Sequence, residues 1–578
     1  MLKKSFYEIA LNATVKTLLI GMGSISTTWA QDYIAPSMVN IPAGSFMMGN
    51  DLGKKNEKPR HSVSLTAFQM GKYPVTVIEF EKFAHDTGFR PKKNCNDTLS
   101  ENWMGAAEEG ITATWDNHRY TNNEYQPVTC VTWQDANDYA KWLSNKTGVQ
   151  YRLPTEQEWE YSVRANTSSK FFWGDDPNNT QACSYGNFGD QSSEYFASRQ
   201  YGASYVGFIG HANCDDGEPY NAIVGLYRPN PFGLYDMVGN TLQILGQCYY
   251  PGYQAHSDKE MRVDKCKDVS MRGTIWHFVP DRHTLRSAYR KTRKPSAAIG
   301  FRLASDGHKE ETEKSAVTFE ARLKSAQKKH LVSRTKLLPI PNVTELIKNK
   351  NAPNNHTFEL NWNVSKDLRI TSFDIYKSAN SFGHLLGGFY QQYYDKVATV
   401  PASSTSTLVD LPESGGSFRI VAVADNLTSL PSTPAVFVKS KSLDIPGRIN
   451  MFETSNLENL HLKHRKAKGD KPELYYLVKY TGAEQLVSKA EFNIDVKKSA
   501  WYNLNYRGKI GSKGEFFKLW RDNQLIGKVS YDPKIDDKIS KRHKVFLEKG
   551  NYTIEMNVVR ETPDRWYMDW LEFTEIKG

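Results

Sequence analysis

The chain changes its hydrophobic rhythm twice. From Met38 the run VNIPAGSFMMGN alternates and is broken by glycines, which predicts a strand and a turn. HSVSLTAFQMG predicts another strand, and Val77, Phe80 and Phe83 then fall on one face of a helix. Further on, VTCVTW looks strand-like and precedes a helix carrying Ala136, Tyr139, Ala140 and Leu143 at helical spacing. RLPTEQEWEYSVR sets Thr155 three residues before Glu158, a capping box, with Trp159 and Tyr161 as anchors.

The rhythm then turns charged. Residues 306–338 are Lys-rich with no aromatic cluster beyond Phe319, and read as a helical or flexible linker. From about 339 to 440 the pattern is strands between turns: HTFELNWNV, TSFDIYKS, DKVATV, STLVDL, GSFRIVAVAD and AVFVK. A second strand-rich stretch fills 445–578, and Trp501, Trp520 and Trp570 are expected in its strand core. The tyrosines of GGFYQQYYDK, Tyr390, Tyr393 and Tyr394, read as a loop packing its own aromatics.

Composition places this pattern in a compartment. At 578 residues the chain exceeds one core, and roughly 150 residues per domain suggests three or four units. Lys3 and Lys4, then an apolar run ending TTWAQ, resemble a secretory signal cleaved after Ala30. No later stretch reaches the ~20 apolar residues of a membrane span, so a secreted or periplasmic location is expected. Six cysteines all precede residue 270, with no CxxC or Cys/His cluster at zinc spacing, and read as disulfides. Six cysteines allow fifteen connectivities; sequence proximity alone favours 95–130, 183–214 and 248–266. The net charge of +10 lies largely after Lys441 and favours an anionic partner. Glu156, Glu158 and Glu160 read either as acid/base groups or as the solvated face of a capped helix, and the second is favoured.

Seven segments then fall in register: IPAGSFMMG, PVTVIEF, PVTCVTWQDANDYAKWL, RLPTEQEWEYSVR, FWGDD, NPFGLYDMVGN and RSAYRKTRKPSAAIGFRLA. Together they resemble the formylglycine-generating enzyme (sulfatase-modifying factor) family from Met38 to about Ser305. The resemblance implies an α+β domain related to C-type lectins, with bound calcium. One calcium would take oxygens from Asn187 and Phe188, then from Asp216 and Glu218. A second would use Asp236, Gly239, Thr241 and Gln243 at reduced affinity, because Gln243 stands where the family has a glutamate and Leu242 and Ile244 replace tryptophans.

Members that make formylglycine hold copper on two cysteines shortly after a GGS turn. The matching run here, MRGTIWHFVPDRHTLRSAYR, has no cysteine, so copper or iron is not expected and formylglycine generation is improbable. His277 and His283 bracket that loop as candidate transition-metal ligands, with ordinary loop histidines the favoured alternative.

Trp362, Tyr376 and FRIVAVAD resemble a fibronectin type III domain, and IPGRI, SAWYNLNYRG and WYMDWLEF resemble family 6 carbohydrate-binding modules, which are jelly rolls. By that resemblance Trp566, Tyr567 and Asp569 are the glycan-binding candidates, while Asn450 and Phe452 replace the acidic residues that would hold the module's own calcium. The expectation is an exported binding protein whose partner is a polysaccharide or surface glycan of anionic character, without a nucleic-acid partner. The alternatives are a metal-dependent oxidoreductase or glycan-processing enzyme acting through the first domain, and a structural matrix or adhesion protein.

Overall fold

The structure is a computed structural model that describes residues 33–577 apart from 52, 91–94, 96–112, 118–119, 178, 202–211, 213, 254–264, 279, 281–286, 291–294, 308–312, 335, 353, 355, 379–393, 413–414, 439–441, 455, 459, 466–473, 480–487, 510–513, 523, 532–542 and 559–566.

The first domain is built on short sheets and capped helices. Ala304–Ser305 slots between Phe68–Gly71 and Tyr151–Arg152, with Met38–Ile41 outside, so the domain's last strand pairs with its earliest part. A hairpin joins Gly44–Met48 to His61–Leu65. A further sheet runs Ser287–Arg290, Asp268–Arg272, Leu242–Cys248, Ile299–Phe301, its last pair parallel.

Helices α1 (Val77–Thr87), α2 (Trp133–Thr147) and α3 (Glu156–Arg164) each begin with a Thr-x-x-Glu/Asp box, at Thr76, Thr132 and Thr155. Each box satisfies amide groups that a helix start leaves open. The apolar faces of α1 and α2 meet through Phe80, Phe83 and Tyr139. VTCVTW is not a strand. Cys130 has φ +60°, and its N–H bonds the carbonyl of Ser296 at 3.0 Å, so the segment turns sharply before α2. A fourth helix, α4 (Gln191–Tyr201), follows Asp190. The six cysteines close as Cys95–Cys130, Cys183–Cys214 and Cys248–Cys266, the pairing that proximity favours.

The charged segment after the domain is a docked helix, α5 (Lys314–Ser333). Ala316, Phe319 and Leu323, at i, i+3 and i+7, are buried, and the latter two pack with Tyr125, Ile223 and Val224. Lys72 pairs with Glu320 at 2.9 Å and Gln327 donates to the carbonyl of Val224.

Two sandwiches follow. In the first, Asn342–Lys348, Thr357–Asn363 and Ser406–Asp410 face a sheet ordered Asp395–Pro401, Ser372–Ser378, Gly415–Ala424, Leu427–Thr428, with Ala435–Val438 also on Gly415–Ala424. Phe358, Leu360, Trp362, Ile375, Phe418 and Ile420 fill the space between. Tyr394 is buried and bonds Ser417 rather than facing solvent, whereas Tyr390 and Tyr393 lie outside the described residues. In the second, each sheet has six strands, and Phe492, Ile494, Tyr502, Leu504, Phe517, Ile554 and Phe573 form one core drawn from both. Among the described residues no helix is long and apolar enough to cross a membrane.

Candidate functional site

The turn at Phe232–Asn240 organises the first domain. Asn230 Oδ1 accepts from the amides of Phe232 and Leu234, and its Nδ2 donates to the carbonyl of Ser162 at 2.6 Å, fixing the turn to α3. Asp236, Gly239 and Asn240 all have positive φ. Asn240 joins three segments: its N–H donates to Asn187 O at 2.7 Å, its side chain exchanges two bonds with Ala222, and its carbonyl accepts from Trp276 N.

The first predicted oxygen set lies beside this turn. Asn187 is fully buried; its Nδ2 donates to the carbonyl of Tyr220 at 2.6 Å, while its Oδ1 is buried without a hydrogen-bond partner. Phe188 puts its ring in the core with Trp159 and Leu234. Asp216 accepts from Glu218 N at 2.7 Å and Tyr227 OH at 2.9 Å, and its own N–H donates to Asp190 Oδ2 at 2.6 Å. Burial, together with the charge of Asp190, raises the Asp216 carboxyl well above the usual range, and burial raises that of Asp190. A bound cation would reverse that pressure, and the orphaned amide oxygen of Asn187 is a donor of the kind a hard divalent ion takes. The Glu218 carboxylate is already engaged, at 2.8 Å from both His330 Nε2 and Arg334 Nε of the α5 region.

The second set is organised differently. Gln243 Oε1 accepts from Trp159 Nε1 at 3.0 Å and from Arg302 Nε at 2.7 Å, which uses both lone pairs, and its Nε2 donates to the carbonyl of Asp236. Arg302, fully buried, also bonds the carbonyls of Gly71, Tyr235 and Asp236. Gln243 therefore has no oxygen left for a metal. Asp236 Oδ1 and Thr241 Oγ1 are buried without partners, and burial pushes the Asp236 carboxyl up to about 6. Gly239 has φ +82°, and a Cβ there would sit 2.4 Å from Asn187 O.

Glu156, Glu158 and Glu160 are not a solvated face. All three are buried. The capping box at Thr155 and Glu158 forms, and Glu158 also takes Arg152 in a forked pair. Glu156 and Glu160 clasp the fully buried Arg272 at 2.8 and 2.9 Å, and Glu160 holds Arg164 and the Gly49 amide with its other oxygen. The carboxylates that looked available for acid/base work are bound up in ion pairs.

The loop after Arg272 is filled by rings. Trp276 is buried, its centroid 5.1 Å from Tyr120 and 5.3 Å from Tyr220, and His277 lies between Trp276 and Phe278. Burial pushes His277 down to about 3, so the ring is neutral. His283 lies outside the described residues. Among the described residues no group of three His, Cys, Asp or Glu is placed to hold a metal. Asp190, Asn240 and Arg302 are not singled out by the sequence; the only local signal is the Gly-Asn pair that ends the turn.

In the last domain Trp566 lies outside the described residues, and so do the side chains of Tyr567 and Asp569 in the strand Tyr567–Glu575. Trp570 and Trp520 are not in the strand core expected of them: Trp570 stands opposite Arg507 on the outer face, covered by the Arg448 guanidinium 4.3 Å over its ring, and Trp520 is half-buried beside Leu519. Trp501 departs from that expectation: it is 54% exposed on the outer face of Ala500–Lys509.

Residues 26–307 match the sulfatase-modifying factor enzyme 1-like domain. Over 299 residues the chain is 31% identical to the formylglycine-generating enzyme of Bos taurus, covering 46% of this chain and 74% of that one. The chain belongs to the formylglycine-generating enzyme family. It is also 29% identical over 311 residues to the inactive C-alpha-formylglycine-generating enzyme 2 of Mus musculus, covering 48% of this chain and 87% of that one. A family 6 carbohydrate-binding module from Cellvibrio mixtus lichenase 5A, solved with cellotriose, overlaps 23% of this chain and 98% of its own at 11% identity and a TM-score of 0.19. The family assignment concerns the first domain and leaves both sandwiches outside it.

Proposed function

We propose that this is an exported binding protein in which the formylglycine-generating-enzyme domain is a calcium-stabilised scaffold and the last sandwich binds a glycan. The observation that carries the first half is the cysteine inventory. All six cysteines are consumed in three disulfides, none spans the loop after Gly273, and that loop presents Trp276, His277 and Phe278. Copper oxidase chemistry needs a thiolate pair, which aromatic rings cannot replace. The mouse relative that bears the word inactive in its name shows that the family includes members described so. Three disulfides support an oxidising compartment and hence export.

Calcium belongs at Asn187, Phe188, Asp216 and the carbonyl of Glu218. The Gln243 set, with its amide oxygen saturated, takes none. Metal analysis of the purified chain is expected to give one calcium and no copper or iron per molecule. Chelation should lower the first domain's melting temperature by several degrees, read by calorimetry with and without calcium. Stoichiometric copper, or formylglycine found by mass spectrometry on a sulfatase-derived cysteine peptide, would sink the scaffold reading.

The middle sandwich serves as a fibronectin type III-like spacer, a reading supported by its pairing of a three-stranded with a five-stranded antiparallel sheet and by Trp362 in the core. The glycan reading of the last domain rests on its two six-stranded sheets and on the adjacent aromatic residues Trp566 and Tyr567 in its sequence. Residues 445–578 carry 25 Lys and Arg against 19 Asp and Glu, which favours an acidic polysaccharide. Its affinity is expected to fall as salt rises.

A further inference from the structure

The exposed rings of Trp501 and Phe546 are not explained by the fold. They are direct cross-strand partners on Ala500–Lys509 and His543–Leu547, 54% and 48% exposed, with centroids 5.6 Å apart and planes at 60°. Tyr502, Leu504 and Tyr506 of the same strand point into the core, so alternation places Trp501, Asn503, Asn505 and Arg507 together on the outer face. Lys544 stands opposite Asn503, and Glu572, opposite Asn505, is held by Arg448 at 2.9 Å. The outer face is thus a two-ring platform followed by amides and the exposed Lys544, with Glu572 held in an ion pair.

We propose that this outer face is a glycan-docking surface, on which an acidic sugar chain stacks against Trp501 and Phe546 and runs along Asn503, Asn505 and Arg507. The proposal rests on the glycan reading of this domain. Pyranose rings offer flat C–H faces to indole, amides bond hydroxyls, and Lys544 pairs with carboxylates. A second copy of the chain is a poorer occupant. A stable protein interface buries roughly 800 Å² per partner around an apolar centre, whereas here two rings are followed at once by polar and charged side chains.

The test uses the full chain with polygalacturonate, with neutral dextran as control, in titration calorimetry and affinity electrophoresis. Trp501→Ala with Phe546→Ala is expected to weaken polygalacturonate binding at least about tenfold, Trp501→Tyr to retain most of it, and Lys544→Gln to lower the salt dependence. Melting temperature should stay unchanged, because both rings face solvent. Binding by the native chain that the double variant leaves intact would overturn the outer-face site while leaving the glycan reading standing. Failure of the native chain to bind either polymer would overturn both for acidic polysaccharides. A fall in sedimentation coefficient on double substitution would instead assign the rings to self-association and overturn the proposal.

Discussion

Replacing Arg272 with methionine is expected to cost the first domain about 3–5 kcal/mol, the largest loss from any single substitution in it. The guanidinium is fully buried and bonds Glu156 at 2.8 Å, Glu160 at 2.9 Å and Tyr253 OH at 3.1 Å. Removing it leaves carboxylates that α3 has taken out of water. Glu160 would keep Arg164 and the Gly49 amide, and Glu156 would keep Ser270 Oγ at 3.0 Å. Adding Glu156→Gln should therefore recover part of the loss, because the carboxylate with fewer remaining partners is the costlier one to strand. Urea unfolding of the first domain, compared for the native, single and double variants, measures this. A single variant within about 1 kcal/mol of native would mean that the ion pairs do not hold α3 to the sheet.

Gly239→Ala is expected to be nearly as severe, at about 3 kcal/mol or more, because two costs coincide. The residue has φ +82°, and its added Cβ would meet the Asn187 carbonyl oxygen at 2.4 Å and nitrogen at 3.0 Å. Both contacts are backbone, so no side chain can swing away. The shift would also strain the 2.7 Å bond from Asn240 N to Asn187 O and displace Asn187, a residue of the proposed calcium site. Gly233 supplies the control. Its φ is +85° but nothing lies within 4 Å of its Cβ position, so Gly233→Ala should cost only about 1 kcal/mol. Equal losses at the two positions would show that conformation alone, and not the close approach to Asn187, requires the glycine.

What the sequence discloses here is what local physics encodes. The capping boxes at Thr76, Thr132 and Thr155 repeat the same three-residue spacing, and the helices begin where those boxes stand. The alternation of FELNW is that of its strand, which has one wet and one dry face, whereas FRIVAVAD forms the expected strand but is buried on both faces, with Arg419 bonded to the carbonyl of Ser432. Burial of the α3 glutamates is not legible, since Arg272 lies 112 residues after Glu160 and only tertiary pairing makes three carboxylates tolerable inside. VTCVTW carries strand propensity that a positive φ at Cys130 and its bond to Cys95 override. Gln243 shows the limit at the site itself: its identity hints at a weakened ligand, but the saturation of its oxygen depends on Trp159 and Arg302, distant in sequence on both sides. Trp501 is misplaced for a related reason: alternation separates it from Tyr502, Leu504 and Tyr506, but which of the two sets faces inward is decided by the opposing sheet.

The docking of α5 sets where the first folding unit ends. The family match stops at residue 307, yet Phe319 and Leu323 cover Tyr125, Ile223 and Val224, and Arg334 pairs with Glu218, which also lies 2.8 Å from His330 Nε2. A chain truncated at the edge of the recognised domain would leave that apolar patch wet and the buried Glu218 carboxylate without Arg334 and His330. The shortest soluble fragment should therefore run past Arg334, and trypsin should spare the Lys-rich stretch that reads, on composition alone, as the easiest place to cut.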